Sequence, residues 1–222
     1  RRIDGLFGVK NEFIYSQFER TDYDLDSIKH PIIREGLKSE NLNGLRIDYD
    51  ADIPARTGLG TSSSFSVGLV NALNAMKGVS LSKRQIADKA IFLERVLCKE
   101  AGGIQDQIAS SYGGLNIISF SADGYTVENL KLQDQKGLQD NLLMFYTGIQ
   151  RSSSEVQKRL DPQKKENNLL QLKEVTEGGG GFFLFYVPRN RQEAVRSVMH
   201  NLLELPFNFE YSGSQILVNT GY

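Results

Sequence analysis

The chain has 222 residues, of which 40% are hydrophobic and 24% are charged, a composition typical of soluble globular proteins. Its formal net charge of -1 argues against a nucleic-acid-binding protein or one that binds anionic membranes through a broad basic surface. The single cysteine, Cys98, cannot form an internal disulfide, which indicates a reducing compartment. No apolar run approaches the roughly 20 residues that span a bilayer, and we expect the protein to be cytoplasmic.

The first half of the chain alternates short strands with amphipathic helices. Apolar and polar residues alternate over 45–53, which predicts a half-buried strand. A glycine-rich turn follows, and apolar residues at helical spacing predict a helix over 63–77. The remaining elements of this half are predicted as a strand at 13–15 and helices at 26–37, from Ser80 or Ser82 to Leu97, and at 104–111.

The second half is richer in strands. A run of aromatic residues over 181–187 ends at Pro188 and predicts a strand, whereas the polar, lysine-rich residues 157–177 fit either an exposed helix or a mobile segment. The other predicted elements are strands at 115–120, 126–132, 142–146 and 207–211 and a helix at 193–203. Interleaved strands and helices of this kind indicate an α+β fold.

The turn ahead of the helix at 63–77 has the features of a phosphate-binding loop. Glycines leave backbone N–H groups unhindered, and a helix N-terminus adds partial positive charge at the same point. The hydroxyls that follow can cap the helix, donate to phosphate or bind Mg²⁺. The turn lacks the Gly-Lys-Ser/Thr of a P-loop, and a plain serine-rich helix cap is the alternative. The residues concerned are Thr57, Gly58, Leu59, Gly60, Thr61, Ser62, Ser63 and Ser64.

Two carboxylates downstream favour a phosphoryl-transfer site. Glu94 falls late in the second predicted helix, and Asp106 follows a Gly-Gly pair at 102–103. One carboxylate can bind Mg²⁺ and another can accept the proton of an attacking hydroxyl, and phosphoryl transfer needs both functions. Each acid could also lie on a solvated helix face.

Three segments together, 53–64, 102–107 and 178–184, resemble the GHMP kinase superfamily. The Leu-Gly-Thr-Ser-Ser form of the loop and the Gly-Gly-Ile-Gln-Asp-Gln segment are more specific. With 112–116 and with the Tyr-Thr-Gly of 146–148 ahead of 151–153, they resemble the D-glycero-D-manno-heptose 7-phosphate kinases.

The resemblance implies an ATP- and Mg²⁺-dependent transfer of phosphate to the anomeric hydroxyl of a heptose 7-phosphate. It implies that Asp106 deprotonates or orients that hydroxyl and that Ser62 and Glu94 bind Mg²⁺. Residues Thr57 to Ser63 would hold the ATP phosphates, with a second glycine motif, Gly179, Gly180 and Gly181, supporting the loop. A doubly charged sugar phosphate needs fixed cations, for which Arg151 is the best candidate unless it is a surface arginine. Gln105 and Gln107 could donate to sugar hydroxyls or simply pack.

The implied fold has an N-terminal phosphate-loop domain at 1–140 and a C-terminal ferredoxin-like domain at 141–222. The superfamily's first glycine-rich motif is not found here, and only the polar residues 157–177 stand where the family has a larger helical segment. We expect a possible homodimer that binds neither nucleic acid nor membrane. The alternatives are a kinase for fucose, galactose or another sugar, a non-catalytic ATP or sugar sensor on the same fold, and a generic scaffold.

Overall fold

The structure is a computed structural model that describes residues 1, 3, 10–53, 57–148 and 181–219. The chain divides into two compact units. Unit 1 comprises Arg1–Ile53, Ser62–Tyr112 and Gly213–Tyr222, and unit 2 comprises Pro54–Thr61 and Gly113–Ser212. This division falls after Tyr112 rather than at the predicted boundary of 140, so the two domains at 1–140 and 141–222 stay a prediction.

Unit 1 contains a three-stranded sheet of order β2-β1-β3, in which β1 runs antiparallel to β2 and parallel to β3. The strands are β1 (Asn11–Ile14), β2 (Phe18–Thr21) and β3 (Arg46–Asp48). The helices are α1 (Pro31–Glu40), α2 (Thr61–Met76), α3 (Lys83–Ile91), a π-helix (Phe92–Leu97) that continues α3, and α4 (Gln105–Tyr112).

Local signals fix where the helices of unit 1 begin. The helix predicted at 26–37 starts only at Pro31, because proline suits the first turn, where its missing N–H leaves no bond unmade. Leu25–Ser27 form a separate 3₁₀ turn ahead of it. Helix α3 begins after Ser82, whose hydroxyl accepts from the Gln85 N–H while the Gln85 side chain accepts from the Ser82 N–H. This reciprocal capping decides between the two predicted starts, Ser80 and Ser82.

The core of unit 1 lies between its sheet and its helices. Helices α1, α2 and α3 each contribute apolar side chains, and Phe13 of β1 is fully buried among them. Cys98 is partly buried against this core, and burial raises the pKa of its thiol to about 11. The buried apolar residues are Phe13, Ile28, Ile32, Ile33, Leu37, Leu45, Phe65, Val67, Leu69, Val70, Leu73, Ile86, Ala90 and Leu93.

Unit 2 contains an antiparallel hairpin and a three-stranded antiparallel sheet of order β7-β6-β8. A small core of Leu143, Phe145 and Val187 lies on one face of the larger sheet. The elements are β4 (Asn116–Ser121), β5 (Gly124–Asn129), α5 (Gln135–Asp140), β6 (Leu142–Tyr146), β7 (Phe182–Tyr186), α6 (Gln192–Val198) and β8 (Leu203–Glu204).

Two predictions for the C-terminal part were wrong. The helix predicted at 193–203 ends at Val198, and Leu203–Glu204 instead form β8 beside β6. The strand predicted at 207–211 forms no ladder, although the Glu210 carbonyl accepts from the Gly114 N–H. Aromatic residues favour strands, but a strand exists only where a neighbouring strand supplies partners. None of the helices among the described residues has the length and apolar character needed to cross a membrane.

Candidate active site

The glycine-rich turn leads directly into helix α2. Gly58 and Gly60 have φ angles of 86° and 67°, in the region that favours glycine, so both glycines are needed for the path of the chain. Thr57 at the start of the turn is buried, whereas Leu59 at its tip is exposed. Thr61 is the first residue of α2, so the predicted phosphate loop ends, as expected, at a helix N-terminus.

Gly181 lies against the start of this turn, within unit 2. A Cβ atom at Gly181 would lie only 2.6 Å from the Thr57 carbonyl oxygen, and the φ of Gly181 is 88°. The Gly181 carbonyl also accepts two bonds of 2.9 Å from Thr147, one from its N–H and one from its hydroxyl. Gly181, just ahead of β7, therefore supports the turn at a point where only glycine fits. The other predicted members of this motif, Gly179 and Gly180, and the predicted substrate residue Arg151 lie outside the described residues.

In unit 1, the first turn of α2 contacts the buried carboxylate of Glu94. The Ser63 hydroxyl donates to Glu94 Oε2 at 3.2 Å, and both side chains are almost fully buried. Glu94 Oε1 is buried without a hydrogen-bond partner among the described residues. The π-helix that carries Glu94 is a rare element that is frequent at functional sites.

The structure brings Ser63, rather than Ser62, to Glu94. Ser62 is exposed, and its carbonyl accepts from the Ser66 hydroxyl at 3.2 Å. The two serines differ because successive residues of a helix point about 100° apart, and it is Ser63 that faces the interior. Magnesium binding by Ser62 stays a prediction. Ser63, the neighbour of Ser62, is the serine that donates to Glu94.

Asp106 and its two glutamine neighbours begin helix α4. Asp106 is half-buried and Gln105 is exposed, so both are accessible from solvent. Gln107 is fully buried, and neither end of its amide has a hydrogen-bond partner among the described residues. A contact of Gln107 with a sugar stays a prediction.

Two contacts in this region escaped the sequence reasoning. The Ser64 and Ser110 hydroxyls lie 2.9 Å apart and join the first turn of α2 to α4, one turn beyond Asp106. Arg95 donates from Nη1 to the Glu100 carbonyl at 3.1 Å and from Nη2 to the Gly103 carbonyl at 2.8 Å. No sequence signal marks Ser110. Arg95 could have been suspected only because it follows Glu94.

The environment of Glu94 is partly enclosed and acidic. Burial raises the pKa of Glu100, and the nearby Glu94 carboxylate raises it further, while Arg95 opposes both effects. Arg95 Nη2 lies 3.6 Å from Glu94 Oε2, which balances the carboxylate charge without a close hydrogen bond. Glu94 Oε1 thus lies in a partly enclosed acidic region and has no hydrogen-bond partner among the described residues.

The Glu94 carboxylate suits Mg²⁺, which also binds water and substrate phosphate, better than a metal whose ligands are all protein side chains. Among the described residues there is no group of three or more His, Cys, Asp and Glu side chains that could hold an ion. Mg²⁺ usually retains water and binds one or two carboxylates together with substrate phosphates. A single buried carboxylate with an unpaired oxygen fits that requirement.

A family model of known proteins matches the part of the chain that carries these contacts. Residues 28–114, which include α2, Glu94 and Asp106, match the family model of the GHMP kinases N terminal domain. This match agrees with the resemblance that two of the three segments, 53–64 and 102–107, show in the sequence. Residues 28–114 are therefore similar to the N-terminal domain of the GHMP kinases.

Among curated proteins, the chain is 29% identical over 110 residues to D-glycero-alpha-D-manno-heptose 7-phosphate kinase of Campylobacter jejuni, covering 48% of this chain and 32% of that protein. It is 32% identical over 154 residues to galactokinase of Pyrococcus furiosus, covering 66% of this chain and 41% of that protein. The chain thus spans less than half the length of either relative.

The fold is similar to that of a solved structure. A D-glycero-D-manno-heptose 1-phosphate kinase from Bacteroides thetaiotaomicron superimposes with a TM-score of 0.72 at 21% identity, covering 93% of this chain and 82% of that chain. The similarity confirms the predicted α+β kinase fold.

Proposed function

We propose that this chain is the catalytic part of an ATP-dependent sugar kinase. The observation that carries the proposal is the buried Glu94 carboxylate. The Ser63 hydroxyl donates to one of its oxygens, and the other has no hydrogen-bond partner within the part of the chain that the structure describes. An unpaired charged oxygen is costly to bury unless a ligand compensates it. The match of residues 28–114 to a kinase domain supports a magnesium-nucleotide complex as that ligand.

Each residue would have a separate function in the transfer. The turn from Thr57 to Ser63 would hold the ATP phosphates through backbone N–H groups and hydroxyls, supported by Gly181. Mg²⁺, when bound, would neutralise charge on the phosphates, with Glu94 and Ser62 as its protein ligands. Positioning and charge neutralisation account for most of the acceleration in this class of reaction.

Asp106 would act on the acceptor. Its half-buried carboxylate stands at the solvent-accessible start of α4. The acceptor oxygen forms a bond to the γ-phosphorus while the bond from that phosphorus to the β–γ bridging oxygen breaks, and ADP leaves. Asp106 accepts or orients the proton of the acceptor hydroxyl.

We propose that the acceptor is D-glycero-D-manno-heptose 7-phosphate, phosphorylated at its anomeric hydroxyl to the 1,7-bisphosphate, on the path to nucleotide-activated heptose. The match to the Campylobacter jejuni enzyme supports a heptose phosphate. Arg151, Gln105 and Gln107 are the residues proposed to contact it. The alternative is an unphosphorylated sugar of the galactose or fucose type, which the match to the Pyrococcus furiosus galactokinase favours. A cytoplasmic location and a homodimer stay predictions.

A panel of acceptors tests both parts of the proposal. ADP release would be measured with ATP and Mg²⁺ in the presence of heptose 7-phosphate, heptose 1-phosphate, galactose and fucose. We expect the highest kcat/KM with heptose 7-phosphate. Turnover with galactose or fucose alone would contradict the heptose assignment and retain the kinase. Absence of turnover with every acceptor, despite nucleotide binding, would favour a sensor.

A further inference from the structure

The Arg95 guanidinium connects the Glu94 carboxylate with the loop that precedes Asp106 in unit 1. Arg95 is mostly buried, and its side chain bonds to both ends of the loop between the π-helix and α4. One bond reaches the Glu100 carbonyl and the other reaches the Gly103 carbonyl, three residues before Asp106. The same guanidinium lies beside the Glu94 carboxylate. We propose that Arg95 is a positioning residue that fixes the Asp106 end of α4 relative to Glu94.

The loop is shaped around this side chain. Gly102 has a φ of 153°, and a Cβ atom there would lie 2.9 to 3.0 Å from three atoms of the Arg95 guanidinium. A flexible side chain could normally move aside, but two hydrogen bonds fix the end of Arg95. Gly102 therefore provides both the backbone conformation and the space that Arg95 requires.

The geometry of arginine matters as much as its charge. The planar guanidinium presents N–H groups in a fixed fork, so it can bond to two carbonyls in different directions at once. Lysine is a compact charge on a flexible stem and does not reproduce this fork. Only Arg95 Nη1 and Nη2 bond to carbonyls, while Arg95 Nε and Glu94 Oε1 are buried with no hydrogen-bond partner among the described residues.

The inference rests on the proposed kinase function, since it assigns Glu94 and Asp106 to one reaction. A misplacement of about 1 Å between groups that act together can lower a rate about 100-fold. Arg95 would then affect the rate of transfer without touching either substrate. Nucleotide binding, which depends on the turn at 57–63, would change little.

The test compares Arg95→Lys and Arg95→Gln with Arg84→Gln as the control. Arg84 lies on the adjoining helix α3 and pairs with Asp88 at a more exposed position. We expect both Arg95 variants to lower kcat at least about 10-fold with the KM for ATP within about 3-fold, and the control to leave both unchanged. Wild-type kcat in Arg95→Lys would overturn the proposal, because charge alone would then suffice.

A second readout does not depend on activity. Hydrogen–deuterium exchange of the peptide containing residues 100–106 would be measured in the ligand-free protein. We expect faster exchange in both Arg95 variants and in Gly102→Ala, with melting of the whole protein little changed. Adding Gly102→Ala to Arg95→Gln should increase exchange by less than Gly102→Ala does in the wild type, because the clash with the Arg95 guanidinium is gone and only the backbone strain at Gly102 remains. Unchanged exchange in Arg95→Gln would overturn the proposal even if the wild-type protein proved to have no kinase activity.

Discussion

The Ser63 hydroxyl donates a hydrogen bond to the Glu94 carboxylate at 3.2 Å, and both groups are buried in unit 1. The bond joins the first turn of α2 to the π-helix that follows α3. It satisfies Glu94 Oε2, whereas Glu94 Oε1 has no hydrogen-bond partner among the residues that the structure describes. The contact therefore orients the carboxylate that we propose as the magnesium ligand.

Substituting the adjacent residues Ser62 and Ser63 one at a time should distinguish an effect on folding stability from an effect on ligand binding. Ser63→Ala removes a hydrogen bond to a buried charge, so we expect a loss of about 1.5–3 kcal/mol in the free energy of unfolding of the ligand-free protein. Ser62→Ala should leave that free energy within about 0.5 kcal/mol and weaken binding of magnesium-ATP instead. Denaturant unfolding and nucleotide titration measure the two effects. Equal stability of the two variants would contradict the assignment of Ser63.

Neutralising Glu94 should lower activity far more than stability. Glu94→Gln keeps the size of the side chain but removes the charge that lies beside Arg95 and accepts from Ser63, so without magnesium the variant should lose about 1–3 kcal/mol in the free energy of unfolding. We expect kcat/KM to fall at least about 100-fold, because the proposed magnesium ligand is lost. Calorimetry with and without magnesium-ATP provides the check. A variant stabilised by magnesium-ATP as strongly as wild type would exclude Glu94 as a ligand.

Asp106→Asn should abolish turnover while nucleotide binding persists. The amide cannot accept the acceptor proton, and loss of general-base catalysis typically lowers a rate by about 10²–10⁴-fold. The dissociation constant for ATP should change by less than about 3-fold, since Asp106 is proposed to act on the acceptor and not on the nucleotide. Asp88→Asn, on the exposed face of α3, is the matched control. Turnover retained in Asp106→Asn would remove the residue from its proposed role.

A side chain at Gly181 should disturb the phosphate turn. Gly181→Ala adds backbone strain and a 2.6 Å approach to the Thr57 carbonyl, so we expect the KM for ATP to rise along with a loss of stability. Gly78 has a similar φ of 74° but no atom within 4 Å of its Cβ position. Gly78→Ala therefore measures backbone strain alone, about 1–2 kcal/mol. If both variants lost the same stability and kept the same KM, the contact with Thr57 would have no functional effect.

Glu40 should contribute to stability in a pH-dependent manner. Burial by itself would raise the pKa of Glu40, but hydrogen bonds from Lys77, Lys89 and Asn74 outweigh it and lower the pKa to about 2 from 4.5. A lowered pKa means that the stabilisation is complete above about pH 4.5 and is lost as the pH falls towards 2. The stability difference between wild type and Glu40→Gln should therefore shrink over that range.

The Glu40 difference is measured by denaturant unfolding from pH 6 to pH 2. We expect it to reach about 1–2 kcal/mol above pH 5, because each unit of pKa shift corresponds to about 1.4 kcal/mol and solvent around the partly exposed lysines screens the interaction. Asp88→Asn serves as the control for an exposed carboxylate in a helix-surface pair. A difference independent of pH would show that Glu40 acts through packing rather than through its charge.

Much of the site could be predicted from local sequence because its features are local. The positive φ angles of Gly58 and Gly60 follow from the need for a tight turn into a helix, which glycine and the following hydroxyls indicate. The capping pair of Ser82 and Gln85 is likewise set by residues three positions apart. Such features depend on near neighbours in the chain, so the sequence alone determined them.

The tertiary structure decided which side chain of each motif faces the interior. Ser63 contacts Glu94 across 31 positions in sequence, and whether Ser62 or Ser63 does so depends on how α2 is rotated about its axis when its apolar face packs. In the same way, the rotation of α4 about its own axis buries Gln107 and leaves Gln105 exposed. The aromatic residues at 207–211 form no strand because none of the strands in the described part of the chain pairs with them. Local pattern thus determined the residue types at the site, and packing between distant segments determined their contacts.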